Sequence, residues 1–164
     1  MIITSSRRLV IRQFASGDAD AMSAVLGDPD VMRFSDNGVL SPGEFREWTE
    51  RQLASYRLKQ GPGRWAIATK ARGTVIGYAG LTFDTERCEP DELELGFRLA
   101  KAYWRRGYAS EAAAAVVDYG FVTLQPRRII AFVDPANTAS VRVIERLGLR
   151  FESLVNFPGY GHPD

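Results

Sequence analysis

The chain has 164 residues, enough for one folded domain, and its apolar and charged fractions are those of an ordinary globular protein. With 21 basic and 20 acidic residues the formal net charge is +1, so the charge balance predicts no general affinity for nucleic acid or for an anionic membrane. The single cysteine, Cys88, excludes an intrachain disulfide framework and a multi-cysteine metal site. Since the apolar runs are also too short for a signal peptide or a membrane span, we expect one cytoplasmic domain over residues 1–164.

The N-terminal third of the chain is predicted to contain one strand and two helices. Residues 9–14 have the composition of a strand, and residues 18–26 indicate a short helix with acidic residues in its first turn. Ser41 begins a second helix, because a serine cap is followed by proline and then by Glu44, which completes a capping box. This helix is predicted to continue to about Lys59.

Three strands are predicted next. Residues 64–69 and 74–83 are joined by a short turn that contains glycine, a pattern typical of a β-hairpin. Residues 92–99 alternate leucine and phenylalanine with polar residues or glycine, so that this strand has one apolar face. Its other face carries Glu92, Glu94, Gly96 and Arg98.

The remainder of the chain alternates helices and strands. A turn containing Gly107 leads into a helix at residues 108–122, whose first-turn amides and dipole favour a bound anion. Residues 128–133 form an apolar run typical of a buried parallel strand, and a helix from 137 to 147 precedes a last strand at 149–156. This order predicts an α+β (mixed α/β) protein with parallel pairing where a helix crosses over.

Residues 104–112 also resemble a known loop. They are similar to the acyl-CoA diphosphate loop of GNAT-type N-acetyltransferases, most closely in the branch of ribosomal-protein N-terminal (RimJ/RimL-type) acetyltransferases. Gly107 and Ala109 keep the last two positions of the superfamily motif, and Trp104 stands where most members have glutamine or arginine, as in that branch. Further segments resemble the branch in order and spacing, at residues 8–12, 28–32, 65–67, 76–81, 137–140 and 145–148.

The resemblance implies a fold and an activity. The expected fold is that of the GNAT acyl-CoA N-acyltransferases, a central mixed twisted sheet flanked by about four helices. The expected activity is direct transfer of acetyl from acetyl-CoA to a primary amine, on a protein N-terminus or a small molecule, by a monomer or homodimer in a ternary complex. An alternative is a non-catalytic acyl-CoA-binding or regulatory domain on the same fold. Family members usually end with one more strand, which we expect to be missing because this sequence stops at Asp164.

Two carboxylates are candidates for the general base. An alkyl ammonium group with a pKa of about 10 is almost unreactive at neutral pH, so that a base is useful. Glu94 is the first candidate and Glu92 the second, acting directly or through a water molecule. The alternative is that both are solvated carboxylates on a half-exposed strand.

The resemblance assigns the binding of acetyl-CoA mainly to the backbone. The main chain of Phe97, Arg98 and Leu99 is expected to hold the pantetheine arm and the thioester. The diphosphate is expected on the amides of Arg105, Arg106, Gly107, Tyr108, Ala109 and Ser110. Alternatively, Gly107 is an ordinary turn glycine, and Arg105 and Arg106 are a solvated basic pair.

The helix after residue 136 supplies the last candidates. Asn137 is a good N-cap with Ser140 three residues on, so that helix capping alone is one interpretation. The resemblance implies that Asn137 contacts the pantetheine arm and that Ser140 donates a proton to the leaving thiolate. Because a thiol has a pKa of about 8.5, the thiolate leaves readily, and this acid is needed less than the base. By resemblance, the acceptor site is formed by the first two helices with their connecting loop at residues 34–40, and by the turn at residues 157–162. The loop contains Asp36, whose negative charge is suited to attract an ammonium group. No spacing of metal ligands exists, and no metal is expected.

Overall fold

The computed structural model describes residues 1–58 and 61–156. The strands are β1 Ile2–Ser5, β2 Leu9–Arg12, β3 Gly63–Thr69, β4 Val75–Thr82, β5 Glu92–Leu99 and β6 Arg128–Ile130. The helices are α1 Ser23–Leu26, α2 Pro42–Leu58, α3 Tyr108–Tyr119 and α4 Thr138–Arg146. A π-helical turn, Gly120–Leu124, extends α3.

The described strands form one mixed sheet of six strands in the order β1 to β6. Neighbouring strands from β1 to β5 are antiparallel, and β6 lies parallel to β5 after the crossover through α3. The predicted mixed α/β class and the parallel pairing of the strand after the central helix are therefore confirmed.

Each face of the sheet covers its own core. Leu95 and Leu99 of β5 are buried with Ala112 and Val116 of α3 on one face. The opposite face is covered by α1 and α2, and its buried cluster includes Phe14, Met22, Leu26, Phe45 and Tyr78. Full burial of one large aliphatic or aromatic side chain contributes roughly 1.5–3 kcal/mol, so these clusters fix the orientation of β5 between the two helical layers.

The predicted start of α2 is confirmed by its side chains. A carboxylate oxygen of Glu44 accepts hydrogen bonds from both the amide and the hydroxyl of Ser41, each at 2.7 Å. This contact satisfies a backbone donor at the start of the helix. The predicted end at Lys59 lies outside the described residues.

The N-terminal predictions are only partly correct. Strand β1 was not predicted, and the strand expected at 9–14 ends at Arg12. The helix expected at 18–26 is wrong over its first half, which forms two short 3-10 turns before the four residues of α1. Asp18 accepts hydrogen bonds from the amide of Ala15 at 2.7 Å and from Arg12 at 2.6 Å. Such local side-chain bonds compete with a regular helix.

The strand expected at 149–156 is also wrong, because these residues form no strand in the structure. Phe151 is 80% exposed and Leu154 is 59% exposed. A strand needs a neighbour to satisfy its backbone groups, and within the described part of the chain residues 149–156 pair with none.

Strand β6 is shorter than predicted, and this opens the sheet. Its pairing with β5 ends at Glu94 opposite Ile130, whereas β5 continues to Leu99 in register with β4. From Leu95 onward the outer edge of β5 therefore faces no strand among the described residues.

None of the helices described here combines the length and the apolar character that a membrane crossing requires.

Candidate functional site

A cavity of about 940 Å³ lies where β5 and β6 diverge. It is lined by the second half of β5, the N-terminal turns of α3 and α4, and the loop at residues 30–37. Its volume is in the range of sites that bind small molecules and cofactors. Both helix N-termini turn their partial positive charge toward this space.

The start of α3 presents a row of backbone N–H groups to the cavity. Gly107 caps the helix in the left-handed conformation at φ +75°, and Arg105 is also left-handed at φ +58°. Across the described residues, none of the amides at positions 105–110 donates to a protein acceptor, and the first helical bond runs from the amide of Glu111 to the carbonyl of Gly107 at 3.1 Å. A left-handed residue followed by helical residues makes an anion-binding concavity, and this one is not closed by the protein's own carbonyls.

Side chains hold this turn in place from two sides. The carboxylate of Glu111 accepts hydrogen bonds from the hydroxyl of Ser6 and the amide of Arg8, both at 2.7 Å. Burial alone would raise the pKa of Glu111, but these hydrogen bonds together with the Arg8 guanidinium lower it. On the other side, the indole N–H of Trp104 donates to the carbonyl of Leu99 at 2.8 Å. The turn is thereby fixed to the strand β2 region and to the end of β5.

Glu94 lies on the face of β5 opposite α3 and lines the cavity. Its side chain is 16% exposed, and one carboxylate oxygen lies 3.8 Å from a terminal nitrogen of Arg87. Burial raises the pKa of Glu94, while the charges of Arg87 and Arg64 lower it in part. The Arg87 guanidinium also lies over the ring of Phe132, 4.5 Å from its centroid. A carboxyl whose pKa is raised by burial is a stronger base than a free carboxylate.

Glu92 has a different environment, although it shares the face of Glu94. Its side chain is 3% exposed and lies 2.6 Å from a terminal nitrogen of Arg128. The amide of Glu89 donates to it at 3.1 Å, and this bond, with the Arg128 guanidinium, lowers the pKa of Glu92. Glu92 does not line the cavity, and the alternative of a solvated carboxylate is wrong for this residue.

Asn137 and Ser140 lie together at the start of α4, on the cavity wall. The side-chain oxygen of Asn137 accepts a hydrogen bond from the amide of Ser140 at 3.2 Å, so the capping interaction proposed from the sequence is present. The Asn137 amide group and the Ser140 hydroxyl are the polar groups that α4 adds to the site. Their roles toward a ligand stay predictions.

The cavity brings together most of the residues selected from the sequence. Those that line it are Glu94, Phe97, Arg98, Leu99, Arg105, Gly107, Tyr108, Ala109, Ser110, Asn137 and Ser140. Arg106 does not line it and instead lies over the ring of Tyr103, 5.8 Å from the centroid. Of the residues expected from the sequence to form an acceptor site, 34–37 and Leu40 line the cavity, and residues 157–162 lie outside the described residues.

Two cavity residues, Arg64 and Arg87, were missed in the sequence. Arg64 is the second residue of β3 and lies on the same face of the sheet as Glu94. Predicting this from the sequence would require the register of β3, β4 and β5. Arg87 lies in a polar connector without periodicity, so no local signal marks it. Among the described residues, no group of three His, Cys, Asp or Glu side chains is placed to hold a metal ion.

The fold agrees with that of acetyltransferases of the GNAT type. The family model described as an acetyltransferase (GNAT) domain matches residues 8–150, and the chain belongs to this family. Members of the family use acetyl-CoA as the acetyl donor.

Individual proteins give the same result. The chain is 30% identical over 154 residues to the N-acetyltransferase YoaA of Bacillus subtilis, covering 93% of this chain and 85% of that protein. A GNAT-family acetyltransferase from Bacillus anthracis matches the structure with a TM-score of 0.85 and 28% identity, over 99% of this chain and 93% of that one. A ribosomal L7/L12 α-N-protein acetyltransferase, RimL, solved in complex with coenzyme A, has a TM-score of 0.80 at 18% identity, over 99% and 94% of the two chains, and so shares the fold.

Proposed function

We propose that this protein is an acetyl-CoA-dependent N-acetyltransferase that moves the acetyl group directly to a primary amine. The observation that carries the proposal is the row of backbone amides at 105–110, which donate to no acceptor among the described residues and border a cavity large enough for a coenzyme. A diphosphate is the anion such a row fits, since amides and a helix dipole stabilise negative charge together. Membership of the GNAT family supports a coenzyme A thioester as the molecule that carries this diphosphate.

Each wall of the cavity has a role in binding the donor. The amides around Gly107 hold the diphosphate, with the Arg105 guanidinium adding positive charge. The backbone of Phe97 and Arg98, on the edge of β5 that pairs with no strand in the described part of the chain, binds the amide groups of the pantetheine arm. The carbonyl of Leu99 already accepts from Trp104, so that the neighbouring backbone carries these contacts. Asn137 contacts the arm from the opposite wall.

The chemical step needs a base more than it needs an acid. Glu94 accepts a proton from the acceptor ammonium, directly or through a water molecule, and the free amine attacks the thioester carbon. The C–N bond forms, the nitrogen releases its second proton to solvent, and the C–S bond breaks. The leaving thiolate takes a proton from solvent, or from the Ser140 hydroxyl, which solvent then reprotonates. A thiolate is a tolerable leaving group, so Glu94 carries more of the catalysis than Ser140.

The environment of Cys88 favours direct transfer of the acetyl group and disfavours a covalent acyl-cysteine intermediate. Its thiol is partly buried, and burial raises the pKa of Cys88. A nucleophilic cysteine needs a lowered pKa and a base beside it. Both acetyl-CoA and the amine therefore occupy the cavity together, and the acceptor is a protein N-terminus or a small-molecule amine.

The test combines acetyl-CoA titration with thiol release against a panel of amines. Gly107→Val is expected to weaken acetyl-CoA binding at least tenfold, because a β-branched residue is strained at φ +75° and its Cβ would lie 3.4 Å from the Arg8 guanidinium. Gly73→Val is the matched control, with φ +66° in the β3–β4 turn and open space around its Cβ. Equal affinity of wild type and Gly107→Val for acetyl-CoA would remove the proposal, as would wild-type protein that binds none.

A further inference from the structure

Beside Glu94, the sheet surface under the cavity is formed by two paired glycines, Gly96 and Gly80, and we call this surface the floor. Gly96 lies between Glu94 and Arg98 on one face of β5, and it pairs with Gly80 of β4. Gly80 in turn pairs with Arg64 of β3, so these positions share one face of the sheet. A Cβ built on Gly96 meets no atom within 4 Å, which shows open space above the floor. Glu94, Arg98 and Arg64 therefore surround a recess that lies on the cavity wall.

The charges around this recess are unequal. Arg98 is held by neutral atoms, the sulfur of Met32 at 3.2 Å and the hydroxyl of Ser35 at 3.3 Å. Within residues 1–58 and 61–156, neither Arg98 nor Arg64 forms an ion pair with a carboxylate. The acidic groups near the recess are Glu94, which lies beside Arg87, and Asp36 on the exposed loop.

Arginine side chains in this position select for anions. A guanidinium keeps its charge at all physiological pH values and offers paired N–H donors that match a carboxylate. The charge of Arg64 acts on Glu94, but among the described residues neither arginine has a carboxylate in ion-pair contact, so that a ligand carboxylate in this partly buried recess would gain charge-assisted hydrogen bonds. A second cation brought into the recess would be repelled, which disfavours polyamines as acceptors.

We propose that the acceptor is a primary amine that carries its own carboxylate, with the nitrogen at Glu94 and the carboxylate over Gly96 between Arg64 and Arg98. This inference rests on the proposed acetyltransferase function. Residues two apart on a strand are separated by about 7 Å, so that the amine and the carboxylate belong to the same or to adjacent residues of the acceptor. The carboxylate is supplied either by an acidic N-terminal residue of a peptide or by the free main-chain carboxylate of an amino acid or dipeptide.

The experiment compares acceptors that differ only in this charge. One pair is a tetrapeptide amide with N-terminal aspartate and the same peptide with asparagine; the other is a dipeptide and its C-terminal amide; spermidine is the cationic acceptor. Each rate is divided by the concentration of unprotonated amine, because an adjacent carboxylate changes the pKa of the amine. We expect kcat/KM to be about tenfold or more higher for the carboxylate member of at least one pair. A charge-assisted hydrogen bond contributes enough free energy to produce a ratio of this size. The pair that responds identifies the source of the carboxylate.

Variants connect the preference to the two arginines. Arg64→Gln and Arg98→Gln are each expected to reduce the acid-to-amide ratio at least threefold. Acetyl-CoA binding is expected to persist in Arg64→Gln, because Arg64 has no role in binding the donor. Arg51→Gln is the control, because Arg51 is exposed on α2 and lies outside the cavity; its ratio is expected to equal that of the wild type. Two separate substitutions are used so that misfolding of one does not decide the result.

The outcomes separate this inference from the function on which it rests. Acetylation of amides or spermidine as efficiently as of the acids overturns the inference and leaves the acetyltransferase intact. A ratio unchanged in both Arg64→Gln and Arg98→Gln overturns it as well. If acetyl-CoA binds but neither carboxylate acceptor is acetylated, the inference is also wrong. Absence of acetyl-CoA binding would remove the proposed function itself.

Discussion

The guanidinium of Arg87 lies 3.8 Å from the carboxylate of Glu94, at the mouth of the gap between β5 and β6. The two side chains come from different segments, since Arg87 belongs to the connector before β5 and Glu94 to the strand itself. Burial raises the pKa of Glu94, and the charge of Arg87 offsets part of that rise. The pair thus sets the pH range over which the carboxyl group of Glu94 is deprotonated.

Glu94→Gln tests the base directly. We expect kcat/KM for an amine acceptor to fall about 10²–10⁴-fold at neutral pH, the usual contribution of general-base catalysis. A base works deprotonated, so wild-type kcat/KM should decline as the pH falls through the raised pKa of Glu94, and the variant should lack that decline. Acetyl-CoA affinity is measured alongside, and Glu47→Gln on the exposed face of α2 serves as the control. Turnover like that of the wild type at every pH would exclude the role.

Arg87→Gln tests the charge beside the base. Removing a cation near a carboxyl raises its pKa, so the acidic limb of the kcat/KM profile should move to higher pH. Arg87→Lys keeps the positive charge and is expected to keep the limb close to that of the wild type. The measurement is a pH–rate profile of the three proteins with one acceptor. A limb that stays in place in Arg87→Gln, or that moves to lower pH, would contradict this account.

Local signals in the sequence are sufficient to predict the turn at Gly107, the start of α3 and the cap of α4. Gly107 and the helix after it were predicted because a glycine turn and a helix start are encoded within a few residues, and both are confirmed. The placing of Glu94 and Arg98 on one face of β5 followed from alternation alone. The capping of α4 by Asn137 was also a local inference.

The grouping of side chains around Glu94 depends on the register between strands, which no single segment encodes. Arg64 reaches the neighbourhood of Glu94 only because β3 and β5 both pair with β4 in a particular register. Arg87 has no periodic context. The strand expected at 149–156 had a suitable pattern but no neighbour with which to pair among the described residues. The different environments of Glu92 and Glu94 likewise depend on β6. This strand places Arg128 opposite Glu92, and it ends at Ile130 opposite Glu94.

Glu92→Gln is expected to affect stability more than catalysis. Glu92 is 3% exposed, and its carboxylate lies against Arg128 while accepting the Glu89 amide, so that the neutral amide should cost about 1–3 kcal/mol of unfolding free energy at pH 7. The folded-state pKa of Glu92 is lowered, so its contribution is present above the ordinary glutamate pKa and is lost as the pH falls through the folded value. The stability difference between wild type and variant should therefore shrink in acid. Urea unfolding between neutral and acidic pH measures it, with Glu152→Gln as the control, because Glu152 contacts the same arginine but its side chain is 70% exposed. A loss of kcat/KM in folded Glu92→Gln as large as in Glu94→Gln would show instead that Glu92 takes part in the reaction.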